Sequence, residues 1–189
     1  MKTLTSTKNP IRLDYVETGR RGRLGLTIMP GKRGQSHTES VYHDRDGYAD
    51  IETMKALGVS MVVSLLDYNE HDDNGFGDLY QAYIDAGIQL VRVPTKNLTP
   101  VPFKSALEAI QVATAEQLRS GTVAVHCLGG LGRAGSWAAY YLIAHGMAPG
   151  DAISTVRASR PGAIETVGQE RAIATFGEMF RGIMTPGGE

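Results

Sequence analysis

The chain has 189 residues, enough to bury a sizeable core without disulfides or a structural metal. Its 19 basic and 20 acidic residues leave a net charge of −1, which argues against a nucleic-acid or membrane-surface binder. The single cysteine excludes an internal disulfide and any cysteine-rich metal site, and it fits a reducing compartment.

The length predicts one domain over 1–189, with 1–23 as a flexible or edge-strand segment. "MKTLTSTKNP" has no apolar stretch of the kind that leads secreted chains, so a cytoplasmic location is expected. Alternation in "IRLDYVE" (11–17) predicts an edge strand, and "LGLTIMPG" (24–31) a second strand stopped by Pro-Gly. The polar segment 32–47 reads as a loop. "YADIETMKALG" (48–58) has helical spacing and ends at Gly58. "VSMVVSLL" (59–66) is continuously apolar, as a strand buried on both faces should be. The acidic loop "DYNEHDDNGFG" follows, then a helix over 78–87 and a strand over 88–94 stopped by Pro94.

A longer helix is predicted over 102–121, with Phe103, Ala106, Leu107, Ile110, Ala113 and Leu118 along its apolar face. "TVAVH" (122–126) reads as another buried strand. Helices over 136–146, 149–159 and 167–180 complete the chain. Strands alternating with helices imply an α/β fold: a central, mostly parallel sheet of about five strands with helices on both faces. In such sheets ligands sit where strands end and helices begin.

One junction carries chemistry. "HCLGGLGRAGS" (126–136) places the only cysteine after a buried strand, then a glycine-rich turn, then an arginine six residues on. A turn of this kind can aim its N–H groups inward, and at a helix N-terminus such donors form an anion site. Leu128, Gly129, Gly130, Leu131, Gly132 and Arg133 would line it, with Arg133 adding a bidentate grip. Helix dipole, N–H ring and guanidinium all favour a thiolate at Cys127, so its pKa is expected below the ordinary value of ~8.5. A thiolate beneath a bound phosphate is a nucleophile aimed at phosphorus. A lone cysteine or a bare glycine turn is more often packing; the combination is what points to a site.

This stretch resembles the His-Cys-x5-Arg signature of the cysteine-dependent protein tyrosine and dual-specificity phosphatases. It most resembles the cyclin-dependent-kinase-associated phosphatase group, which shares the "GGLGR" loop. "LGLTIMPGK", "DIETMKALGVSMVVSLL" and "SRPGAIETVGQE" fall in the expected order, so the likeness runs over roughly residues 24–180. It implies the cysteine-phosphatase fold and hydrolysis of a phosphate monoester through a cysteinyl-phosphate on Cys127. Arg133 and the loop N–H groups would stabilise the transition state, with no metal or cofactor. The implied partner is a phosphorylated protein or a small phosphorylated metabolite, including an inositol (pyro)phosphate.

Two positions depart from the family's pattern. The loop after 88–94 reads "PTKNLTPVP", so Asn97 stands where the family carries a proton-donating aspartate. Ala134 follows the arginine where many members have Ser or Thr, and Ser136 is expected to start the next helix. Three readings stay open. In the first, an acid is borrowed from Asp67, Glu70, Asp72 or Asp73, with Asp67 and Glu70 nearest the strand end; either could instead orient Arg133. In the second, the enzyme works without an acid on substrates with good leaving groups. In the third, the chain is a phosphate-binding pseudophosphatase, which the intact Cys127 and Arg133 argue against. A rhodanese-like sulfurtransferase also uses a loop cysteine, but an arginine at the sixth position favours phosphoryl chemistry.

The resemblance also implies support from His126 through hydrogen bonds to the loop, and from Gln169 or Glu165 in placing water; helix capping is an equal reading of Gln169. His37, His43, His71, Asp72 and Asp73 lack metal-ligand spacing. The basic "GRRGR" and "GKR" stretches read as solvated surface or as steering charge. Trp137, Tyr140 and Tyr141 read as core.

Overall fold

The computed structural model describes residues 1–36 and 40–184. In chain order the elements are β1 (Lys2–Leu4), β2 (Asp14–Val16), β3 (Arg23–Thr27), β4 (Arg33–Gln35), β5 (Val41–Asp44), α1 (Gly47–Ala56), β6 (Val59–Ser64) and α2 (Glu70–Asp73). Then follow α3 (Leu79–Asp85), β7 (Gln89–Arg92), α4 (Phe103–Leu118), β8 (Thr122–His126), α5 (Gly132–Ala144), α6 (Pro149–Ser159) and α7 (Val167–Met184).

The two apolar runs 59–66 and 122–126 form the middle of a five-stranded sheet of order β2-β3-β8-β6-β7. Only β2 is antiparallel. Their residues alternate between two cores. Met61, Val63, Val123 and Val125 pack with Trp137, Ala138 and Ile110 on one side. Val62 and Ala124 pack with Ile51, Met54, Leu79 and Tyr83 on the other. Both faces are covered, which is why these strands read as unbroken apolar runs. Trp137, Tyr140 and Tyr141 are buried, as the sequence predicts.

Register decides where chemistry can occur. Thr27, His126 and Ser64 end level with one another across β3, β8 and β6. The connections after β3, β6, β7 and β8 therefore open on one edge.

Several expectations are corrected. Segment 32–47 holds β4 and β5, which join β1 in a second, three-stranded sheet; residues 37–39 of that segment lie outside the described residues. β1 pairs parallel with β5, so the N-terminal segment carries a strand in that sheet as well as the edge strand β2. The acidic loop contains the short helix α2. Leu118 is exposed, and Gln117 takes the buried position beside it, where Tyr141 donates to its Oε1 at 2.6 Å. α5 begins at Gly132, not Ser136. Ser136 lies inside it, its hydroxyl bonding back to the Gly132 carbonyl at 2.8 Å.

Candidate active site

The turn between β8 and α5 is held by its carbonyls. The Cys127 carbonyl faces His126 Nδ1 at 3.2 Å, and the Leu128 carbonyl accepts from the Met29 amide at 3.3 Å. The Gly129 carbonyl accepts from Arg160 Nη2 at 3.0 Å, and Arg160 is anchored in turn by an ion pair to Asp14 on β2. The Leu131 carbonyl accepts from the Gly135 amide at 2.8 Å and the Ile164 amide at 3.4 Å. With the acceptors turned outward, the N–H groups of Gly129, Gly130 and Leu131 are left over. They take no part in hydrogen bonds among the described residues. Unused donors ahead of a helix are what an oxyanion needs.

Gly130 cannot carry a side chain here. Its φ is +68°, and a Cβ would sit 2.1 Å from the Thr27 carbonyl oxygen. The glycine lets the turn press against the end of β3. At Gly129 the corresponding space is open.

Arg133, in the first turn of α5, is buried to 2% exposure. Glu70 grips one edge of its guanidinium, Nη1 to Oε2 at 2.6 Å and Nη2 to Oε1 at 2.7 Å. Nη1 also donates to the carbonyls of Thr95 at 2.9 Å and Leu65 at 3.3 Å. These contacts tie the arginine to the connections after β6 and β7. The other edge is unspent: Nε is buried with no partner. The Nε and Nη2 donors of that edge match two oxygens of a tetrahedral anion. Burial opposes the charge on Arg133, but the Glu70 bonds and the nearby Cys127 outweigh it and raise its pKa.

Glu70 therefore orients Arg133, one of the alternatives open in the sequence. Both its oxygens are occupied as acceptors, and Oε2 also receives the Asp67 amide at 3.0 Å. Asp67 does not join the fork; its Oδ1 accepts from the Tyr68 amide at 2.9 Å. Asp72 and Asp73 are exposed on α2. Asn97 is exposed, in the loop whose base Arg133 ties down through Thr95.

His126 is fully buried, and burial lowers its pKa from 6.5 to about 4. The ring is neutral near pH 7. Facing a carbonyl, Nδ1 must carry the proton, so Nε2 accepts from the Tyr83 hydroxyl at 3.2 Å. The histidine thus fixes the backbone of the cysteine that follows it.

Gln169 caps α7. Its backbone amide donates to the Thr166 hydroxyl oxygen at 3.1 Å, while its side-chain Oε1 accepts from the Glu165 and Thr166 amides at 2.8 and 3.2 Å. This is a Thr-x-x-Gln capping box. Nε2 is left buried and without a partner, 2.8 Å from where a Cβ on Gly132 would be. Of the histidines and aspartates that lack metal-ligand spacing in the sequence, His43 lies on β5, His71 and its neighbours Asp72 and Asp73 lie on α2, and His37 lies outside the described residues; no group of three or more potential ligands forms among the described residues. Sequence reasoning missed Arg160, Tyr83 and the carbonyls of Leu65 and Thr95. Arg160 sits in the "SRPG" stretch already singled out, but nothing in the sequence pairs it with Asp14.

A family model described as the Swiss Army Knife protein, DSP-PTPase phosphatase domain, matches residues 41–173. A Mus musculus protein, protein tyrosine phosphatase domain-containing protein 1, is 34% identical over 138 residues. That match covers 68% of this chain and 18% of the relative, so the chain spans about a fifth of the relative's length. Kinase-associated phosphatase, solved with serine replacing its catalytic-site cysteine, has a similar fold: TM-score 0.81, 23% identity, 92% of this chain and 98% of that one. PTPMT1 in complex with PI(5)P has TM-score 0.69 at 17% identity, over 87% of this chain and 96% of that one.

Proposed function

The chain belongs to the DSP-PTPase phosphatase domain family, and from that membership we propose that it hydrolyses phosphate monoesters with good leaving groups, phosphotyrosine first among them, through Cys127. The observation that carries this reading is the unspent Nε edge of Arg133, buried beside Cys127 at a turn whose carbonyls are tied outward. Substrate phosphate seats its equatorial oxygens on the N–H groups of the turn and on the Nε–Nη2 edge. The Cys127 thiolate then attacks phosphorus. The S–P bond forms as the P–O bond to the leaving group breaks, and that oxygen departs with the electron pair. Donors already aimed at the developing charge lower the barrier without reorganisation.

The preference for a good leaving group rests on Asn97 and Glu70. An amide gives up no proton as an acid does, and both Glu70 oxygens are committed to N–H donors. General acid help is worth typically ~10²–10⁴-fold, and the need for it shrinks when the leaving oxygen is stable as an anion. A small phosphorylated metabolite is the second reading, supported by a shared fold that in PTPMT1 accommodates PI(5)P.

The test is steady-state hydrolysis of one aryl and one alkyl phosphate across pH, with Cys127→Ser, Asn97→Asp, Asp67→Asn and Glu70→Gln. The reading predicts aryl turnover that Cys127→Ser abolishes, and alkyl turnover only once Asn97 becomes Asp. Good alkyl turnover lost in Asp67→Asn would move the acid to Asp67. No turnover of either ester, with a phosphopeptide still bound, would make the chain a binding module.

A further inference from the structure

The basic stretch "GRRGR" (19–23) has no part in the phosphatase reading. Arg23 opens β3, whose far end at Thr27 lies level with His126, so the stretch sits at the sheet edge opposite Cys127. The thirteen residues of α5, about 20 Å of helix, separate the catalytic turn from this end. A cavity of about 430 Å³ opens here, lined by Arg20 and Arg21 before β3, Gln117 and Leu118 at the end of α4, and His145 just after α5. We propose that this cavity is a second anion site, which takes the phosphate group of a small phosphorylated metabolite.

A close approach brings the cations there. Gly22 is buried, and a Cβ on it would lie 2.6 Å from the Gln117 Cα and from the Gly121 carbonyl oxygen. Only a glycine lets the preceding turn lie against the end of α4. Two local bonds shape that turn, from the Gly19 amide to Glu17 Oε1 at 3.0 Å and from the Arg20 amide to the Thr18 hydroxyl at 3.3 Å. Arg20 and Arg21 are exposed, and their guanidinium groups take no ion pair or hydrogen bond among the described residues. The acids adjoining the lining residues in sequence are engaged, Glu17 by the Gly19 amide and Glu116 by Arg119 at 3.5 Å.

A buried donor points to the same ligand. Gln117 is 1% exposed, its Oε1 accepts from the Tyr141 hydroxyl at 2.6 Å, and its Nε2 has no partner. A buried N–H left unpaired is costly, and an oxyanion seated against Gln117 supplies the missing acceptor.

His145 adds a conflict that an anion removes. Its Nδ1 faces the Tyr141 carbonyl at 2.7 Å and so carries a proton. Its Nε2 faces the Thr114 hydroxyl at 3.1 Å, and that hydroxyl gives its single hydrogen to the Ile110 carbonyl at 2.7 Å. The pattern suits an imidazolium, with both nitrogens donating. Burial opposes the charge, as does Arg20, and together they hold the His145 pKa below its ordinary 6.5 against the pull of the Tyr141 carbonyl. A phosphate on Arg20 offsets that charge and favours the proton. Phosphate also has oxygens enough for two guanidinium groups and an amide at once. The cavity is larger than the anion and falls within the roughly 300–1,000 Å³ of small-ligand sites. Exposed Leu118 gives an organic body an apolar wall.

The test is ¹H–¹⁵N NMR of the full chain titrated with inorganic phosphate near pH 7, against chloride of equal ionic strength. Wild type is compared with the double variant Arg20→Ala, Arg21→Ala and with Gln117→Glu. Residues 18–21, 117–118 and 145 should shift saturably with phosphate. The double variant changes only exposed side chains, so it should fold, and it should weaken binding at this end by ~10-fold or more while the shifts at 128–133 stay as they were. Gln117→Glu keeps the acceptor for Tyr141 but replaces the Nε2 donor by an anionic oxygen, and should weaken binding as much. Phosphate should raise the His145 pKa, read from its ring protons. Glucose 6-phosphate, added to Cys127→Ser, should bind this end more tightly than inorganic phosphate. Phosphate shifts confined to 128–133 overturn the proposal, as do shifts at this end that chloride reproduces or that survive the double variant, and so does an unmoved His145 pKa. Acetate binding as tightly as phosphate, or a phosphoserine peptide binding more tightly than the sugar phosphate, overturns the assignment of the ligand. Shifts at this end with none at 128–133 would support this site and count against the phosphatase reading alone.

Discussion

Replacing Glu70 by Gln separates an arginine-orienting carboxylate from a proton donor. The pair is largely withdrawn from water, with side-chain exposures of 2% for Arg133 and 15% for Glu70. The substitution removes the countercharge and leaves an NH2 group facing one guanidinium N–H. Breaking a buried ion pair costs roughly 3–5 kcal/mol. The carbonyls of Leu65 and Thr95 still accept from Nη1, so the low end applies. About 3 kcal/mol of lost transition-state stabilisation corresponds to ~10²-fold in kcat/KM. Because the loss comes from a misplaced guanidinium, it should be equal for aryl and alkyl esters and independent of pH between about 5 and 8. The assay is kcat/KM for both ester types at several pH values. A Glu70→Gln enzyme normal on aryl esters but crippled on alkyl esters would show that Glu70 delivers a proton, and would refute this reasoning.

The two loop glycines should behave oppositely. Gly130→Ala forces a methyl against the Thr27 carbonyl at φ +68°, so it should cost at least ~2 kcal/mol in denaturant unfolding and abolish stabilisation by phosphate, whereas Gly129→Ala, with open space around it, should fold normally. His126 makes stability pH-dependent. Its folded pKa of about 4 lies below its ordinary 6.5, so the unfolded chain takes up the proton first. Stability is therefore full above pH 6.5 and lost as pH falls toward about 4, by roughly 3 kcal/mol. Urea midpoints should drop through that window, and less so in His126→Asn. Asn97→Asp should raise alkyl-ester turnover by ~10-fold or more with little change on aryl esters, measured by phosphate release.

The sheet centre and the cysteine turn were legible in the sequence for physical reasons. Strands buried on both faces must be apolar throughout, and a His-Cys-x5-Arg turn has few other uses. β4 and β5 were not, because short strands of a small, exposed sheet can be built from Arg, Gln and Tyr that read as loop. The start of α5 was displaced because its first turn is made of Gly132, Arg133 and Ala134, with the glycine chosen for the space it leaves rather than for helix propensity. Four carboxylates crowd residues 67–73, and only the fold selects Glu70 for Arg133. The capping box Thr166-x-x-Gln169 carried a usable signal, but the orphaned Nε2 behind it appears only in three dimensions.

The central claim is that phosphate passes through Cys127. Wild-type enzyme mixed with p-nitrophenyl phosphate, quenched in acid within the first turnover and digested, should yield the Cys127 peptide carrying one phosphate, and Cys127→Ser should yield neither that species nor product. Product formed with no phosphate on Cys127, or undiminished turnover by Cys127→Ser, would contradict the account.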